Sequence, residues 1–303
     1  MPYLPEALAS LEAQTFRDFE VCLWDNGSND GSVQEAMRWI PHRLPGRVVT
    51  GNPLPLHQCL ARMVEEAKTK FVARMDGDDW ITSDRFELQV YSLHHDHNLI
   101  GIGGQLELMD LSGKKIGDLS YPTTYSAVLG RLLCSSPLPH AAMMMKREAM
   151  ITCGNYVNPQ PVEDLDLWFR FLQKGPAICL KKVIYKYRIV GSGITEQAKR
   201  AEIHSKAIFE CLRRNIPQFF NISTEVFEKL YNKKQPLAFL PLGRAADTIS
   251  RMTGLDKRSV LGSPDFLFSA RCYTAKQDYI SKLVYRLWEK NVESPRTPSA
   301  QRL

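Results

Sequence analysis

Hydrophobic residues in the first third of the chain alternate between helical and strand-like spacing. Helix-like stretches and apolar runs follow one another as helix 5–14, strand 19–24, helix 33–40, strand 48–49, helix 56–67 and strand 71–75. Strands separated by helices favour a parallel sheet covered on both faces, and ligand sites in such sheets lie at the carboxyl ends of the strands. The pattern therefore predicts an α/β fold with a mostly parallel, Rossmann-like sheet flanked by helices.

The pattern changes after a further predicted helix at 82–93. Short β-like runs in 99–117, with glycines between them, predict a hairpin rather than another crossover unit. Apolar residues at i, i+3, i+4 and i+7 in 165–172 predict a helix, and 178–187 reads as an extended segment. Beyond about residue 195 the pattern is helical, which predicts a helical C-terminal extension.

Composition narrows the class of protein. The 303 residues are 44% hydrophobic and 24% charged, which is typical of a globular protein and excludes collagen, coiled-coil and disordered classes. No window reaches the roughly 18–20 apolar residues that a membrane-spanning helix needs. The N-terminus also lacks the basic and apolar segments of a signal peptide. We therefore expect a cytoplasmic protein.

The formal charge of +6 is concentrated near the C-terminus, because residues 201–303 carry 17 Lys and Arg against 10 Asp and Glu. A basic patch can attract anionic lipid or nucleic acid, although scattered basic residues on a solvated helical surface are commoner. Peripheral association with the inner face of a membrane thus stays open, and we expect no nucleic-acid partner. The oligomeric state is not readable from the sequence.

Three acidic clusters could carry chemistry. Asp76 and Asp78 follow the predicted strand 71–75 and resemble a site for a hard cation such as Mg²⁺ or Mn²⁺, with substrate phosphates supplying further oxygens. The alternative is an Asp-rich turn in which Asp79 or Asp84 caps the next helix.

The other two clusters are also ambiguous when taken alone. Asp25 and Asn26 open a loop rich in turn formers, which could contact a nucleoside or simply connect a strand to a helix. Glu163 and Asp164 stand at the start of an apolar helix, where a carboxylate could act as a general base or cap the helix.

Taken together, the clusters resemble family 2 inverting glycosyltransferases with a GT-A fold. The resemblance rests on residues 3–32, on FVARMDGDD at 71–79 and on EDLDLWFRF at 163–171, in the order and approximate spacing of that family. It extends to Pro139-His140, Gly154-Asn155-Tyr156 and Tyr187-Arg188, and it is weak after residue 195.

The resemblance implies a role for each cluster. Asp25, with Asn26 beside it, would bind the nucleoside, and Asp76 and Asp78 would bind ribose, Mn²⁺ or Mg²⁺ and diphosphate. Asp164, with Glu163, would deprotonate the acceptor. The implied reaction moves a sugar from a nucleotide-diphosphate sugar to a glycan or lipid-linked acceptor, in cell-surface polysaccharide synthesis.

The resemblance also implies a domain layout. A glycosyltransferase domain at 1–200 would hold a nucleotide-binding part at about 1–110 and an acceptor part at about 111–200. A helical region at 201–291 and a disordered tail at 292–303 would follow.

The sequence departs from the family at its beginning. Members normally start with a hydrophobic strand before the first helix, whereas this chain starts at that helix. A misassigned start, a segment supplied from elsewhere or a degenerate relative would each explain this pattern, and Asn26 also replaces a usual acid. The alternative function is therefore a catalytically impaired relative that binds glycan or protein. A sugar nucleotidyltransferase would need a glycine-rich, basic N-terminal loop, which this sequence lacks.

Overall fold

The computed structural model describes residues 2–158, 162–189, 194–225, 227–228 and 239–262. The helices are α1 Leu4–Glu12, α2 Ser32–Trp39, α3 Leu56–Glu66, α4 Arg85–His95, α5 Tyr125–Leu132, α6 Arg147–Thr152, α7 Glu163–Phe171, α8 Ile194–Phe220, α9 Phe239–Thr253 and α10 Lys257–Gly262. The strands are β1 Val21–Trp24, β2 Gly46–Val49, β3 Phe71–Ala73, β4 Trp80–Ile81, β5 Gly101–Met109, β6 Lys115–Leu119, β7 Met144–Lys146 and β8 Ala177–Arg188. The predicted tail at 292–303 lies outside the described residues.

The described strands form two sheets. β1 and β2 pair in parallel through the α2 crossover, with Val21 opposite Gly46. The larger sheet has the order β3-β7-β5-β8-β4, and β6 pairs with β5 as the predicted hairpin. The α/β class is confirmed, and the helical pattern predicted after residue 195 is present in α8, α9 and α10.

The expected mostly parallel pairing is wrong for the larger sheet. Only β5 and β8 pair in parallel among its described strands, while β3 with β7, β5 with β7, β4 with β8 and β5 with β6 are antiparallel. Long crossovers give parallel neighbours and short returns give antiparallel ones. The first part of the chain uses helical crossovers, whereas β6 follows β5 through a tight turn and β7 enters the sheet from the short 3₁₀ turn His140–Ala142.

Helices cover both faces of the larger sheet. One hydrophobic core lies between the sheet and α1, α2 and α4, and the other lies between the opposite face and α3, α5, α6 and α7. Side chains at β7 alternate between the two cores: Met144 of the strand belongs to the first core, and Met145 and the preceding Met143 belong to the second. This packing fixes the position of the loops at the strand ends.

The C-terminal helices belong to the second core. Leu212 and Phe220 of α8 and Ala246 of α9 are fully or almost fully buried in the same cluster as Leu165 of α7. Arg214 of α8 also forms a 2.7 Å ion pair with the buried Asp166 of α7. α8 runs through residue 200, so secondary structure continues across the domain limit expected there. Within the described part of the chain, none of the helices combines the length and apolar character needed to cross a membrane.

Candidate active site

The acidic turn after β3 begins with an ion pair inside the turn itself. Both carboxylate oxygens of Asp76 accept hydrogen bonds from the guanidinium of Arg74, at 2.6 and 3.0 Å. The backbone N–H of Asp76 donates to the hydroxyl of Tyr185 in β8 at 3.1 Å. Asp76 is thus held in place from two sides, and any ligand of its carboxylate would have to share it with Arg74.

Asp78 lies two residues further along, half-buried at the surface of the same turn. Burial raises the pKa of Asp78, and the negative charge of Asp76 raises it further. Its backbone carbonyl accepts a 3.0 Å hydrogen bond from Nε of Arg188. A carboxylate whose pKa is raised by a neighbouring carboxylate marks a place where a cation is electrostatically favoured.

Asp79 fastens the turn to the sheet. Its carboxylate accepts hydrogen bonds from the Tyr185 hydroxyl and the Arg188 backbone N–H, both at 2.7 Å, and burial raises its pKa to about 7. The alternative expectation of helix capping is wrong. Asp84 stands at the N-cap of α4, but its carboxylate accepts from the side chains of Thr82 and Lys182 instead.

A buried arginine, Arg85, donates a hydrogen bond to the backbone at the start of the acidic turn. Arg85 is 0% exposed and donates from Nη2 to the backbone carbonyl of Arg74 at 2.8 Å and from Nε to Gln89 at 3.0 Å. Burial lowers the pKa of Arg85 to about 10. Its Nη1 has no hydrogen-bond partner among the described residues. The charges of Asp76 and Asp79 act on Arg85, so this buried positive charge offsets part of the negative charge of the turn.

The second acidic cluster opens α7. Asp164 is half-buried, and its Oδ2 accepts a 2.9 Å hydrogen bond from the hydroxyl of Ser136. Its place in the first helical turn stabilises its negative charge through the helix dipole. Asp164 is therefore an accessible carboxylate whose side chain is oriented by a neighbouring loop.

Glu163 is more buried than Asp164, and one of its carboxylate oxygens lacks a hydrogen bond in the described part of the chain. It is 9% exposed, and its Oε2 has no hydrogen-bond partner in the part of the chain that the structure describes. Burial raises the pKa of Glu163, and the adjacent charge of Asp164 raises it further. A buried and unpartnered carboxylate costs stability.

We expect Glu163→Gln to stabilise the protein at neutral and alkaline pH. Because burial in the folded state raises the pKa of Glu163 above the ordinary value of a glutamate, the wild type loses stability as pH rises through the folded pKa. The glutamine does not titrate. At pH values above the folded pKa, the variant should therefore be more stable than the wild type by about 1–2 kcal/mol, and this difference in stability should shrink toward pH 4. Calorimetric melting at pH 4 and pH 8 measures this difference.

The matched control for Glu163→Gln is Glu148→Gln. Glu148 is an exposed acid in the first turn of α6, so its substitution should change the melting temperature little at either pH. Equal effects of the two substitutions at both pH values would contradict the assigned cost of burying Glu163.

A neutral histidine and a tyrosine stand next to the acids. Nε2 of His140 lies 2.7 Å from the hydroxyl of Tyr156, and burial, aided by the charge of Arg74, lowers the pKa of His140 well below 6.5. Burial raises the pKa of Tyr156, and the charges of Arg74, Asp164 and Glu163 also act on it. Tyr156 is therefore within electrostatic range of both Arg74 in the acidic turn and the two acids that open α7.

The structure brings the second and third acidic clusters into one electrostatic environment. The charges of both Arg74 and Asp76 act on Glu163, with opposite effects on its pKa. Sequence reasoning missed Arg74, Ser136 and Tyr185, whose partners are distant in the chain. The proline and histidine at 139–140 were the only signal near Ser136, because the resemblance includes them.

The first acidic loop is organised differently. Oδ2 of Asp25 accepts hydrogen bonds from the backbone N–H groups of Gly27 and Ser28, at 3.0 and 3.1 Å, and Gly27 has a φ of +96° that favours glycine. The buried carboxylate of Asp25 thus shapes its own loop. Asp25 follows β1 in the two-stranded sheet, and its described hydrogen bonds stay within that sheet and loop.

Asn26 joins two loops. Its side-chain amide donates to the carbonyl of Leu54 and accepts from the N–H of Leu54, both at 2.8 Å. Its Oδ1 also accepts a weak hydrogen bond from Cys59 at 3.6 Å. The nucleoside contact expected of Asn26 stays a prediction, and the amide has this structural role in addition.

We expect Asn26→Asp to weaken the connection between the two loops. A carboxylate can accept from the N–H of Leu54 but cannot donate to its carbonyl, so the substitution should lower the free energy of unfolding by about 1 kcal/mol. Chemical denaturation measures the loss. Asn29→Asp is the control, because Asn29 is exposed in the same loop and carries the same change of charge. Equal stability of the two variants would contradict this role.

The residues of the acidic turn fit a divalent cation only as a partial ligand set. No group of three or more His, Cys, Asp or Glu side chains that could hold a metal is present in the described ranges. Asp78 offers a hard oxygen ligand with no side-chain partner among the described residues, and Asp76 is shared with Arg74. Mg²⁺ commonly uses one or two carboxylates plus substrate phosphates, so this set would be completed by a diphosphate.

Residues 1–149 match the family model described as Glycosyl transferase family 2. The putative glycosyltransferase EpsE of Bacillus subtilis (strain 168) is 26% identical over 193 residues, which cover 61% of this chain and 68% of that protein. The amylovoran biosynthesis glycosyltransferase AmsE of Erwinia amylovora is 28% identical over 192 residues, covering 61% and 70%.

Two solved structures share the fold. Mannosyltransferase PcManGT from Pyrobaculum calidifontis, in complex with GDP-Man and Mn²⁺, has a TM-score of 0.57 at 19% identity and covers 95% of this chain and 84% of its own. Residues 1–349 of S. aureus TarS, in complex with UDP-GlcNAc, have a TM-score of 0.51 at 16% identity and cover 90% and 87%. The match spans 54% of a longer TarS chain.

Proposed function

We propose that this chain, whose residues 1–149 match the model of glycosyltransferase family 2, transfers a sugar from a nucleotide-diphosphate sugar to a hydroxyl acceptor and inverts the anomeric carbon. The observation that carries the proposal is electrostatic coupling between the acidic turn after β3 and the acids at the start of α7. The charge of Asp76 in the turn after β3 acts on Glu163 at the start of α7. A donor-binding turn and a base would then share one site.

The donor would lie along the acidic turn. We assign ribose and diphosphate to Asp76 and Asp78, and the nucleoside to the loop of Asp25 and Asn26. Gly77 supports a close approach, because a Cβ there would meet only Leu4, at an ordinary 3.6 Å, so the fold itself leaves the space open. The UDP-GlcNAc and GDP-Man bound by the two structural neighbours agree with this class of donor.

Asp164 would act as the general base. Its carboxylate takes the proton of the acceptor hydroxyl, whose oxygen forms a bond to the anomeric carbon from the face opposite the diphosphate. The bond between that carbon and the diphosphate oxygen breaks, and its electron pair leaves with the diphosphate. Attack from the opposite face is what inverts the configuration.

Asp78, with Asp76, would hold Mn²⁺ or Mg²⁺ together with the diphosphate. A bound cation of this kind supplies charge stabilisation for the leaving diphosphate. The Mn²⁺ in the PcManGT complex supports divalent metal use. Arg74 would orient Asp76 and contribute a fixed positive charge next to the same phosphates.

The acceptor is proposed to be a glycan or lipid-linked sugar in cell-surface polysaccharide synthesis, on the cytoplasmic side of the membrane. The similarity to AmsE, an amylovoran biosynthesis glycosyltransferase, supports this choice of pathway class. The alternative is a catalytically impaired relative that binds glycan or protein. Two observations favour it: Arg74 occupies both oxygens of Asp76, and Leu54 occupies the amide of Asn26.

The test is hydrolysis of a panel of nucleotide sugars by the full chain in Mn²⁺, with and without a chelator. We expect release of nucleoside diphosphate from one or a few donors, and loss of that release with chelator. Asp78→Asn should raise the Mn²⁺ concentration that gives half-maximal release of diphosphate. Asp118 is an exposed acid on β6, so Asp118→Asn should leave that concentration unchanged. Folded protein that releases no diphosphate from any donor would favour the binding alternative, and release that resists chelator would contradict the metal.

A further inference from the structure

The hydroxyl of Ser136 links the proposed base to a buried tryptophan. Oγ of Ser136 lies 2.9 Å from Oδ2 of Asp164 and 3.1 Å from Nε1 of Trp168. The carbonyl of Leu138 is a more distant acceptor, at 3.4 Å. Ser136 lies in the loop before β7, so the contact joins two segments that are separate in the sequence.

The chemistry of the three groups fixes the direction of the hydroxyl proton. An indole N–H can only donate, so Trp168 occupies a lone pair of the Ser136 oxygen. The single hydroxyl proton is then left for an acceptor, and Oδ2 of Asp164 is both charged and closer than the carbonyl of Leu138.

Trp168 is itself held rigidly. Its side chain is 0% exposed, and its ring packs edge-on against His140 and Phe171, with ring centroids 6.0 and 5.9 Å apart. His140 is in turn fixed by its hydrogen bond with Tyr156. The direction of the indole N–H, and through it the position of the serine hydroxyl, is therefore set by the core.

We propose that Ser136 is a positioning residue that holds Oδ2 of Asp164 and so leaves Oδ1 as the atom that takes the acceptor proton. Oδ1 has no hydrogen-bond donor among the residues that the structure describes. This inference rests on the proposed role of Asp164 as the base. Without the serine, the half-buried carboxylate would be free to rotate, and its oxygens would no longer be aligned with the acceptor.

The experiment compares Ser136→Ala, Ser136→Thr and Ser135→Ala in the full chain. Turnover is the release of nucleoside diphosphate from the nucleotide sugar that the wild type hydrolyses fastest, with water as the acceptor. We expect Ser136→Ala to lower kcat about 10- to 100-fold, as small errors in the placement of a reacting group do, with the donor KM unchanged. Ser136→Thr keeps the hydroxyl and should restore most of the turnover.

Ser135→Ala is the matched control. Ser135 is the neighbouring hydroxyl in the same loop, half-buried and 3.9 Å from the sulfur of Cys134 rather than near the base. Its removal should leave kcat near the wild-type value. The indole N–H resonance of Trp168 should shift in Ser136→Ala and stay in place in Ser135→Ala, which reports the hydrogen bond independently of activity.

Three results would overturn the inference. They are wild-type kcat in Ser136→Ala, a fall in kcat that Ser136→Thr does not rescue, or a parallel rise in the donor KM with a lower melting temperature. Each leaves the role of Asp164 to be judged by its own substitution. If Asp164→Asn keeps full turnover, the proposed function fails at the base, whatever Ser136 does.

Discussion

Asp164→Asn is expected to lower turnover by about 10²–10⁴-fold, the usual contribution of general-base catalysis, while donor binding stays unchanged. The amide keeps the shape of the side chain and can still accept from the Ser136 hydroxyl, but it cannot take a proton from an acceptor. The fold should therefore survive and the chemical step should not. Release of nucleoside diphosphate measures turnover. Calorimetric titration of the variant with the intact nucleotide sugar that the wild type hydrolyses measures donor binding.

Glu148→Gln is the control for this substitution as well. It neutralises an exposed acid in the first turn of another helix, so it reproduces the change in helix-dipole interaction without touching the site. The assignment of Asp164 as the base would be contradicted if Asp164→Asn kept turnover within a few-fold of the wild type. It would also be contradicted if Glu148→Gln lost as much turnover as Asp164→Asn.

Phe220→Ala is expected to have the largest effect on stability. Phe220 is 0% exposed near the end of α8, packs against Phe219 at a ring distance of 4.8 Å and shares a core with Leu165 and Phe169 of α7. Truncating a buried phenylalanine costs about 3–5 kcal/mol. Because α7 carries the proposed base, we expect the loss to appear in one transition that includes α7 and the C-terminal helices.

Denaturant unfolding followed by tryptophan fluorescence and by circular dichroism measures this loss, since Trp168 lies in the same core. Leu255→Ala is the control, because Leu255 is 43% exposed between α9 and α10 and should cost less than about 0.5 kcal/mol. Two separate transitions, or a loss below about 1 kcal/mol in Phe220→Ala, would show that the C-terminal helices fold independently of α7.

Local patterns in the sequence predicted most of the secondary structure near the site. The run at 71–75 was expected to be a strand, and β3 occupies Phe71–Ala73 before the acidic turn begins. The apolar face at 165–172 predicted a helix, and α7 begins at Glu163. These predictions succeeded because helical and strand periodicity and turn-forming residues act over a few neighbouring positions.

Sheet pairing could not be predicted from the same local patterns. β7, only three residues long, inserts between β3 and β5 and makes both pairs antiparallel. Its sequence, within a run of methionines, has no alternation of polar and apolar residues, because both of its faces are buried. The expectation of a mostly parallel sheet failed for this reason.

The sequence by itself predicted the α/β class, the resemblance to a family and the acids worth testing, since these were read from short motifs and their order along the chain. Only the tertiary structure decided what those acids touch. Arg74 takes both oxygens of Asp76, Tyr185 ties Asp79 to the sheet, and Ser136 holds Asp164. Contacts between distant segments depend on how two cores pack against one sheet, and no short stretch of sequence carries that information.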